Sequence, residues 1–270
     1  MKRIGRAIKR VFFQPPPEGK PEVLNCKEYM ERKIQRIPGP LADGVFRIDK
    51  HIACLERIPG ILDPLEGYAL FELAKDSGSC EPIAEVGSYL GKSTSYLALG
   101  SLIAGNKGVV AIDMFPAKED WFKGEDGYWH IRGTDYYIEE SVYREREYFF
   151  YGGNHYRNTL DIFTDIGKRV GLGSHITPFK GNSTSYMESQ GKGTKFRLIF
   201  IDGDHTYQGV KKDIEALRDA VVPGGYVCFH DYSSSFPGVV RAVDELILNS
   251  PEYQQRYLVG SLMIAKKAVH

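Results

Sequence analysis

Short apolar runs alternate with stretches of helical periodicity along most of this chain. Leu65, Ala69, Leu70 and Leu73 recur at helix spacing and predict a helix over 65–75. Ile83-Ala84-Glu85-Val86 predicts a short strand, and residues 93–102 a helix that Gly105-Asn106 ends. A second strand over 108–114 closes on Asp113. The alternation resumes near residue 158, with a helix to 170, a strand over 175–179 and a short helix over 185–190. A strand over 196–201 and a helix over 210–220 follow, the helix carrying Val210, Ile214 and Leu217 on one face. A strand over 226–229, a helix over 238–248 and a strand pair or hairpin over 257–265 complete the pattern. Strands alternating with helices predict an α/β fold with a doubly wound, mostly parallel sheet.

Two regions break that rhythm. Residues 1–60 read as an N-terminal arm and helical extension, leaving 61–270 as the main domain. Met1 to Phe12 carries Lys2, Arg3, Arg6, Lys9 and Arg10 without an acid, and Ile4, Ile8, Val11 and Phe12 fall at helical spacing. One reading is a basic amphipathic helix for an anionic membrane surface or a partner; the other is a basic arm. Pro15-Pro16-Pro17 ends any such helix. The second region is an insertion over 115–156. It holds Trp121, Trp129, Tyr128, Tyr136, Tyr137, Tyr143, Tyr148, Phe149, Phe150, Tyr151 and Tyr156. It reads either as a packed accessory subdomain or as a lid over an acceptor site.

Composition narrows the classes. The 270 residues carry 35 basic and 35 acidic side chains, so no net charge draws the chain to nucleic acid. No apolar run reaches the ~18 residues of a membrane span. Cys26, Cys54, Cys80 and Cys228 form no CxxC pair, which fits a reducing cytoplasm, and no secretory signal is read at the N-terminus. The expected location is cytoplasmic, with peripheral membrane contact through 1–12 left open. Homo-oligomer formation is equally open.

The candidate chemistry lies where strands end. Glu85-Val86-Gly87-Ser88-Tyr89-Leu90-Gly91-Lys92-Ser93-Thr94 runs from a strand into a helix. Three residues separate Gly87 from Gly91, one too few for a P-loop, and Tyr89 stands where a dinucleotide fingerprint needs glycine. Gly87 and Gly91 let backbone approach a ligand, while Glu85 would repel phosphate and suit a cation. S-adenosylmethionine, with its ammonium and sulfonium and no phosphate, fits that demand. Ser88, Tyr89 and Ser93 belong to the same expected cofactor turn. Asp113 reads as an acceptor for ribose hydroxyls or as a helix cap. Gly181-Asn182-Ser183 reads as a neighbour of the adenine or as ordinary turn chemistry. Ile201-Asp202-Gly203-Asp204-His205 and His230-Asp231 end two further strands, with residue types that suit a divalent metal or proton transfer.

Taken in order, the Glu85–Thr94 turn, Asp113, Gly181-Asn182-Ser183, Asp202-Gly203-Asp204-His205-Thr206-Tyr207, Pro223-Gly224-Gly225 and His230-Asp231-Tyr232 resemble class I S-adenosylmethionine-dependent methyltransferases. The closest resemblance is to the small O-methyltransferase branch often found in glycan and natural-product gene clusters. It spans roughly residues 60–266 and implies a Rossmann-like methyltransferase fold. It implies cofactor contacts at Glu85, Gly87, Asp113, Asn182 and Asp202. It further implies a magnesium site at Asp202, His230 and Asp231, although relatives usually carry Asp or Glu where this chain has His230. The implied base is His205, three residues past Asp202, with Asp204 as rival. The expected function is methyl transfer to a hydroxyl of a sugar, glycan or small secondary metabolite. Alternatives are a hydroxylase-like or hydrolytic metal-dependent enzyme on the same fold, or a non-catalytic cofactor-binding module. A charged cluster at the sheet edge weighs against the last.

Overall fold

The computed structural model describes residues 55–76, 79–134, 136–148, 158–191 and 193–269. The basic segment 1–12, Pro15 to Pro17, Cys26 and Cys54 lie outside the described residues, as do Phe149, Phe150, Tyr151 and Tyr156.

The elements follow in chain order. Helix α1 (Pro64–Asp76), strand β1 (Ile83–Val86), helix α2 (Lys92–Ile103) and strand β2 (Val109–Asp113) come first. The aromatic segment supplies β3 (Trp121–Lys123), β4 (Trp129–Ile131), β5 (Tyr137–Ile138) and α3 (Glu140–Arg146). Then come α4 (Thr159–Arg169), β6 (Ile176–Lys180), α5 (Ser183–Gln190), β7 (Phe196–Ile201) and α6 (Tyr207–Leu217). The chain closes with β8 (Val221–Phe229), α7 (Pro237–Val243), a π-helical continuation over Asp244–Leu248, and the hairpin β9 (Tyr253–Val259) and β10 (Leu262–Lys267).

Seven strands form one sheet in the order β6-β2-β1-β7-β8-β10-β9. The first five are parallel, and the hairpin adds β10 antiparallel to β8. Central strands of a parallel sheet are covered on both faces and read as continuous apolar runs. Every residue of β1 and of β7 is buried accordingly. Period-two alternation divides β7 between two core layers. Leu198 and Phe200 pack with Leu70, Ala74 and Leu97 of α1 and α2; Ile199 and Ile201 pack with Ile214, Leu217 and Val243 of α6 and α7. The exception in that strand is Arg197, fully buried, whose guanidinium donates to the Ala74 carbonyl at 2.6 Å and the Ser101 hydroxyl at 2.5 Å. It ties the end of α1 and the end of α2 to the sheet.

Strand order reverses between β1 and β7, which run away in opposite lateral directions and leave a crevice at their carboxyl ends. The parallel ladder continues past the strands there. Asp202 N–H donates to Val86 C=O at 2.8 Å, Gly87 N–H to Ile112 C=O at 2.9 Å, Gly181 N–H to Asp113 C=O at 2.9 Å, and His230 N–H to Ile201 C=O at 3.1 Å. The residues just beyond four strands are therefore held in one row with the end of β2.

The aromatic segment folds on itself. β3, β4 and β5 pair antiparallel, and Trp121, Ile131, Ile138 and Tyr143 form a small separate core. The Trp129 and Tyr143 rings stack at 3.6 Å. The segment leaves and rejoins the main domain at one place, through the Ala117–Asn158 bridge and the Thr159 N–H to Pro116 C=O bond of 3.2 Å. Among the described residues no helix is long and apolar enough to cross a membrane.

Gly87 has φ +85°, and a Cβ there would stand 2.1 Å from the Asp202 carbonyl oxygen. Gly87→Ala is expected to destabilise the fold by about 3 kcal/mol, from left-handed strain plus overpacking. Urea unfolding measures it. A variant within about 0.5 kcal/mol of the parent would mean that the two strand ends are not packed this closely.

Candidate active site

One cavity of about 1410 Å³ opens over the row of strand ends. A single small-molecule pocket usually spans about 300–1,000 Å³, so this one has room for two reactants. Of the expected cofactor residues, Gly87, Ser88, Tyr89, Ser93, Asp113, Gly181, Asn182, Ser183 and Asp202 line it, as do Asp204, His205, His230 and Asp231. Glu85 and Gly91 are not among the lining residues. The aromatic segment contributes Trp121, Ile131 and Tyr136 to the wall.

The turn after β1 is held by Asp113. Its Oδ2 accepts from the backbone N–H of Ser88 at 2.9 Å and of Tyr89 at 3.0 Å, and its Oδ1 from Phe115 N–H at 2.7 Å. Burial pushes the Asp113 pKa up, against these N–H groups, which stabilise the carboxylate. Tyr89 and Phe115, whose amides are two of the donors, adopt φ of +48° and +41°. Asp113 thus shapes the turn as well as facing the cavity.

Both glycines of the turn serve protein packing first. Gly87 admits the Asp202 carbonyl, and Gly91, at φ +87°, lies where a Cβ would be 3.0 Å from the Phe163 ring. Glu85 acts from below: its carboxylate accepts from Thr94 Oγ1 in α2. Burial raises its pKa to about 7, an effect that nearby Ser93, Thr94 and Ser88 hydroxyls partly offset. Asn182 caps α5 by accepting from Ser185 N–H at 2.8 Å, and Ser183 Oγ donates to Asp213 Oδ1 at 2.6 Å.

At the ends of β7 and β8 two imidazoles sit among three carboxylates. His205 Nε2 lies 3.0 Å from Asp231 Oδ2 and 3.5 Å from Asp202 Oδ1. One ligating atom from each of Asp202, His205 and Asp231 falls within 4.8 Å of the others. His230 is different. It is buried, with Nδ1 3.2 Å from Asp202 Oδ1 and Nε2 3.0 Å from Glu66 Oε2. With both nitrogens facing carboxylate oxygens, its ring is committed to the protein, and the geometry groups His205, rather than the expected His230, with Asp202 and Asp231. Burial alone would lower the His205 pKa, but Asp202 and Asp231 outweigh it and raise it to about 9. Burial alone would raise Asp231, yet His205 and His230 hold it below the usual carboxylate range. Asp231 also takes φ +56°, a left-handed backbone that turns the chain sharply off β8. Phe236 backs the His205 ring at 4.8 Å.

His205 Nε2 is buried between the Asp231 and Asp202 carboxylates, at 3.0 and 3.5 Å. Two carboxylates with one imidazole form a ligand set that suits a divalent metal. At the β1 turn, the Ser88 hydroxyl is buried beside Glu85 and lines the cofactor side of the cavity.

Sheet order, glycine turn and strand-end acids together define the class I methyltransferase architecture. Residues 84–232 match the methyltransferase domain family, and the chain belongs to it. Among solved structures it is similar to an O-methyltransferase from Bacillus cereus in complex with S-adenosylhomocysteine, at TM-score 0.52 and 18% identity over 90% of this chain and 97% of that one. It is also similar to the O-methyltransferase NovP, at TM-score 0.55 and 15% identity over 92% and 96%. TomG from Streptomyces achromogenes, an O-methyltransferase of tomaymycin synthesis in complex with S-adenosylmethionine, aligns at TM-score 0.53 and 11% identity over 90% and 95%. At such identities the likeness is one of fold. A curated relative, uncharacterized protein R132 of Acanthamoeba polyphaga mimivirus, is 40% identical over 52 residues, 18% of this chain and 24% of that protein.

Asp213 supplies a pH prediction. Burial raises its pKa to about 6, against the Ser183 hydrogen bond. A folded-state pKa above the unfolded one means that the native state binds the proton more tightly, so stability falls as pH rises between the two values and stays reduced above about 6. Asp213→Asn keeps an acceptor for Ser183 and removes the titration. Relative to the parent it is expected to gain about 2–3 kcal/mol between pH 4 and pH 7. A pH-independent difference in urea unfolding would contradict the burial described.

Proposed function

We propose that this chain is an S-adenosylmethionine-dependent O-methyltransferase that acts on a hydroxyl of a sugar-like or aromatic small molecule with the help of a divalent cation. The observation that carries the proposal is the convergence of Asp202, His205 and Asp231 beside the Gly87 turn in one cavity large enough for cofactor and acceptor.

The cofactor would lie over the Gly87 turn, with Ser88, Asp113 and Asn182 as its polar contacts. It supplies a methyl group on a sulfonium sulfur, already activated for displacement. A divalent cation, for which magnesium is the expected ion, would be held by Asp202, His205 and Asp231 and would acidify an acceptor hydroxyl bound to it. The protein must then position the oxygen and take its proton. His205 is poorly placed for the second task, since its two carboxylate neighbours keep it protonated when no cation is present. Asp204 lines the same cavity and carries the proton-accepting role better. Its Oδ1 accepts from Thr206 N–H at 2.7 Å, which fixes the side chain at the start of α6. Trp121 and Tyr136 line the same cavity, where their rings would pack against a ring-shaped acceptor and help keep water from it. The part that TomG plays in tomaymycin synthesis favours a small molecule over a macromolecule.

Three measurements test the reading together. Calorimetry is expected to give S-adenosylmethionine and S-adenosylhomocysteine tighter binding than NAD or ATP; the reverse order would sink the cofactor assignment. Asp204→Asn retains the Oδ1 that accepts from Thr206 N–H, so a turnover loss of ~10²–10⁴-fold with unchanged cofactor affinity would report the lost base. Full activity in that variant would remove Asp204 from the role. His205→Ala is expected to abolish Mn²⁺ binding, read by electron paramagnetic resonance. Parent-like Mn²⁺ affinity would return His205 to the role of base.

A further inference from the structure

Glu66 stands outside the stretch matched by the family and far from the strand ends in sequence, yet it is wired to them. It lies in the first turn of α1 and is 4% exposed. Both of its oxygens are fully used. Oε1 accepts from Ser261 N–H at 2.6 Å and Ser261 Oγ at 2.9 Å; Oε2 accepts from Asp63 N–H at 3.1 Å and faces His230 Nε2 at 3.0 Å. The β9–β10 turn is shaped around this carboxylate: Gly260 has φ +61°, and a Cβ there would stand 2.5 Å from Glu66 Oε1. On the other side of the ring, His230 Nδ1 lies 3.2 Å from Asp202 Oδ1 and 3.6 Å from Asp231 Oδ1.

We propose that Glu66 is a positioning residue of the active site, which fixes the His230 ring and through it the orientation of the Asp202 and Asp231 carboxylates. A buried carboxylate is costly, and one that merely staples α1 to the hairpin could be replaced by apolar packing. Its alignment with a buried imidazole, and of that imidazole with two candidate metal ligands, is the arrangement by which outer groups orient inner ones. With Nε2 anchored on Glu66, the ring cannot rotate, and Nδ1–H stays directed at Asp202. Asp202 is thereby held with one oxygen toward His230, in the position that lets its carboxylate meet His205 and Asp231.

This inference rests on the metal-assisted reading, and its test separates the two. Glu66→Gln keeps shape and one acceptor but removes the charge. Leu70→Ala, in the buried face of the same helix, loosens α1 without touching the chain of contacts. Mn²⁺ alone, titrated and followed by electron paramagnetic resonance, is expected to bind at least about five-fold more weakly to Glu66→Gln, with S-adenosylhomocysteine affinity within about two-fold of the parent. Leu70→Ala is expected to lower Tm while leaving Mn²⁺ affinity unchanged. Should Glu66→Gln behave like Leu70→Ala, Glu66 is a staple and the proposal is overturned. If the parent itself binds no Mn²⁺, the metal-assisted reading fails, and the ¹⁵N resonances of the His230 ring decide for Glu66. A shift confined to that ring in Glu66→Gln supports the positioning role, and unchanged resonances overturn it. Glu66→Asp, one methylene too short to reach His230, is read in the same way if the first variant does not fold.

Discussion

The site depends on how closely β1 and β7 approach at the point where strand order reverses. Their ladder runs one residue beyond β7, and the missing Cβ of Gly87 is filled by the Asp202 carbonyl. That contact sets the position of the turn that follows β1 and of the first carboxylate that follows β7. The cofactor side and the chemical side of the cavity are thus registered to one another by main-chain hydrogen bonds, not by side chains. Asp113 extends the same logic, since its carboxylate gathers the amides of the turn from the neighbouring strand end. A glycine in such a place looks like a concession to a ligand, but here it is a concession to the sheet.

Charge is balanced locally at the strand ends. Asp202, Asp231 and Glu66 surround His230 and His205, and each buried carboxylate has an imidazole within about hydrogen-bond reach. His230, buried at the cavity floor, supplies a positive partner, since, against the effect of burial, its carboxylate neighbours raise its pKa. His205 faces the cavity, so its side of the cluster is the one a ligand or cation can alter. One imidazole is fixed by the protein on both sides and the other is open to exchange, although the two residue types are identical.

Much of this was legible from residue pattern. β1 and β7 read correctly to the residue because buried parallel strands leave an uninterrupted apolar run, and the candidates Asp202, His205 and Asp231 were singled out because they follow such runs. The short β3, β4 and β5 left no periodic trace, since two or three residues cannot display a period among so many aromatic neighbours. β8 begins earlier than its apolar core implies, as Pro223-Gly224-Gly225 reads as a turn while the register shift near Phe196 and Leu198 absorbs it into the sheet. Glu66 was hidden by its own local grammar. Asp63 and Glu66 form a helix-start pair, with Leu65 N–H donating to Asp63 Oδ1 at 3.0 Å and Asp63 N–H to Glu66. That signature explains the acid locally and gives no reason to look for a partner 164 residues away. The environment of His230 is likewise a product of tertiary packing.

The aromatic segment departs from and returns to the sheet at neighbouring points, and it carries its own core. Its interior can therefore be rewritten by mutation, lengthened or exchanged without moving a single strand end. On the proposed reading, natural selection acting on such a chain faces two nearly separate problems: keeping the methyl-donor side constant and letting the opposite wall drift to new clients. Lineages built on this plan would diversify in what they modify far faster than in how they modify it.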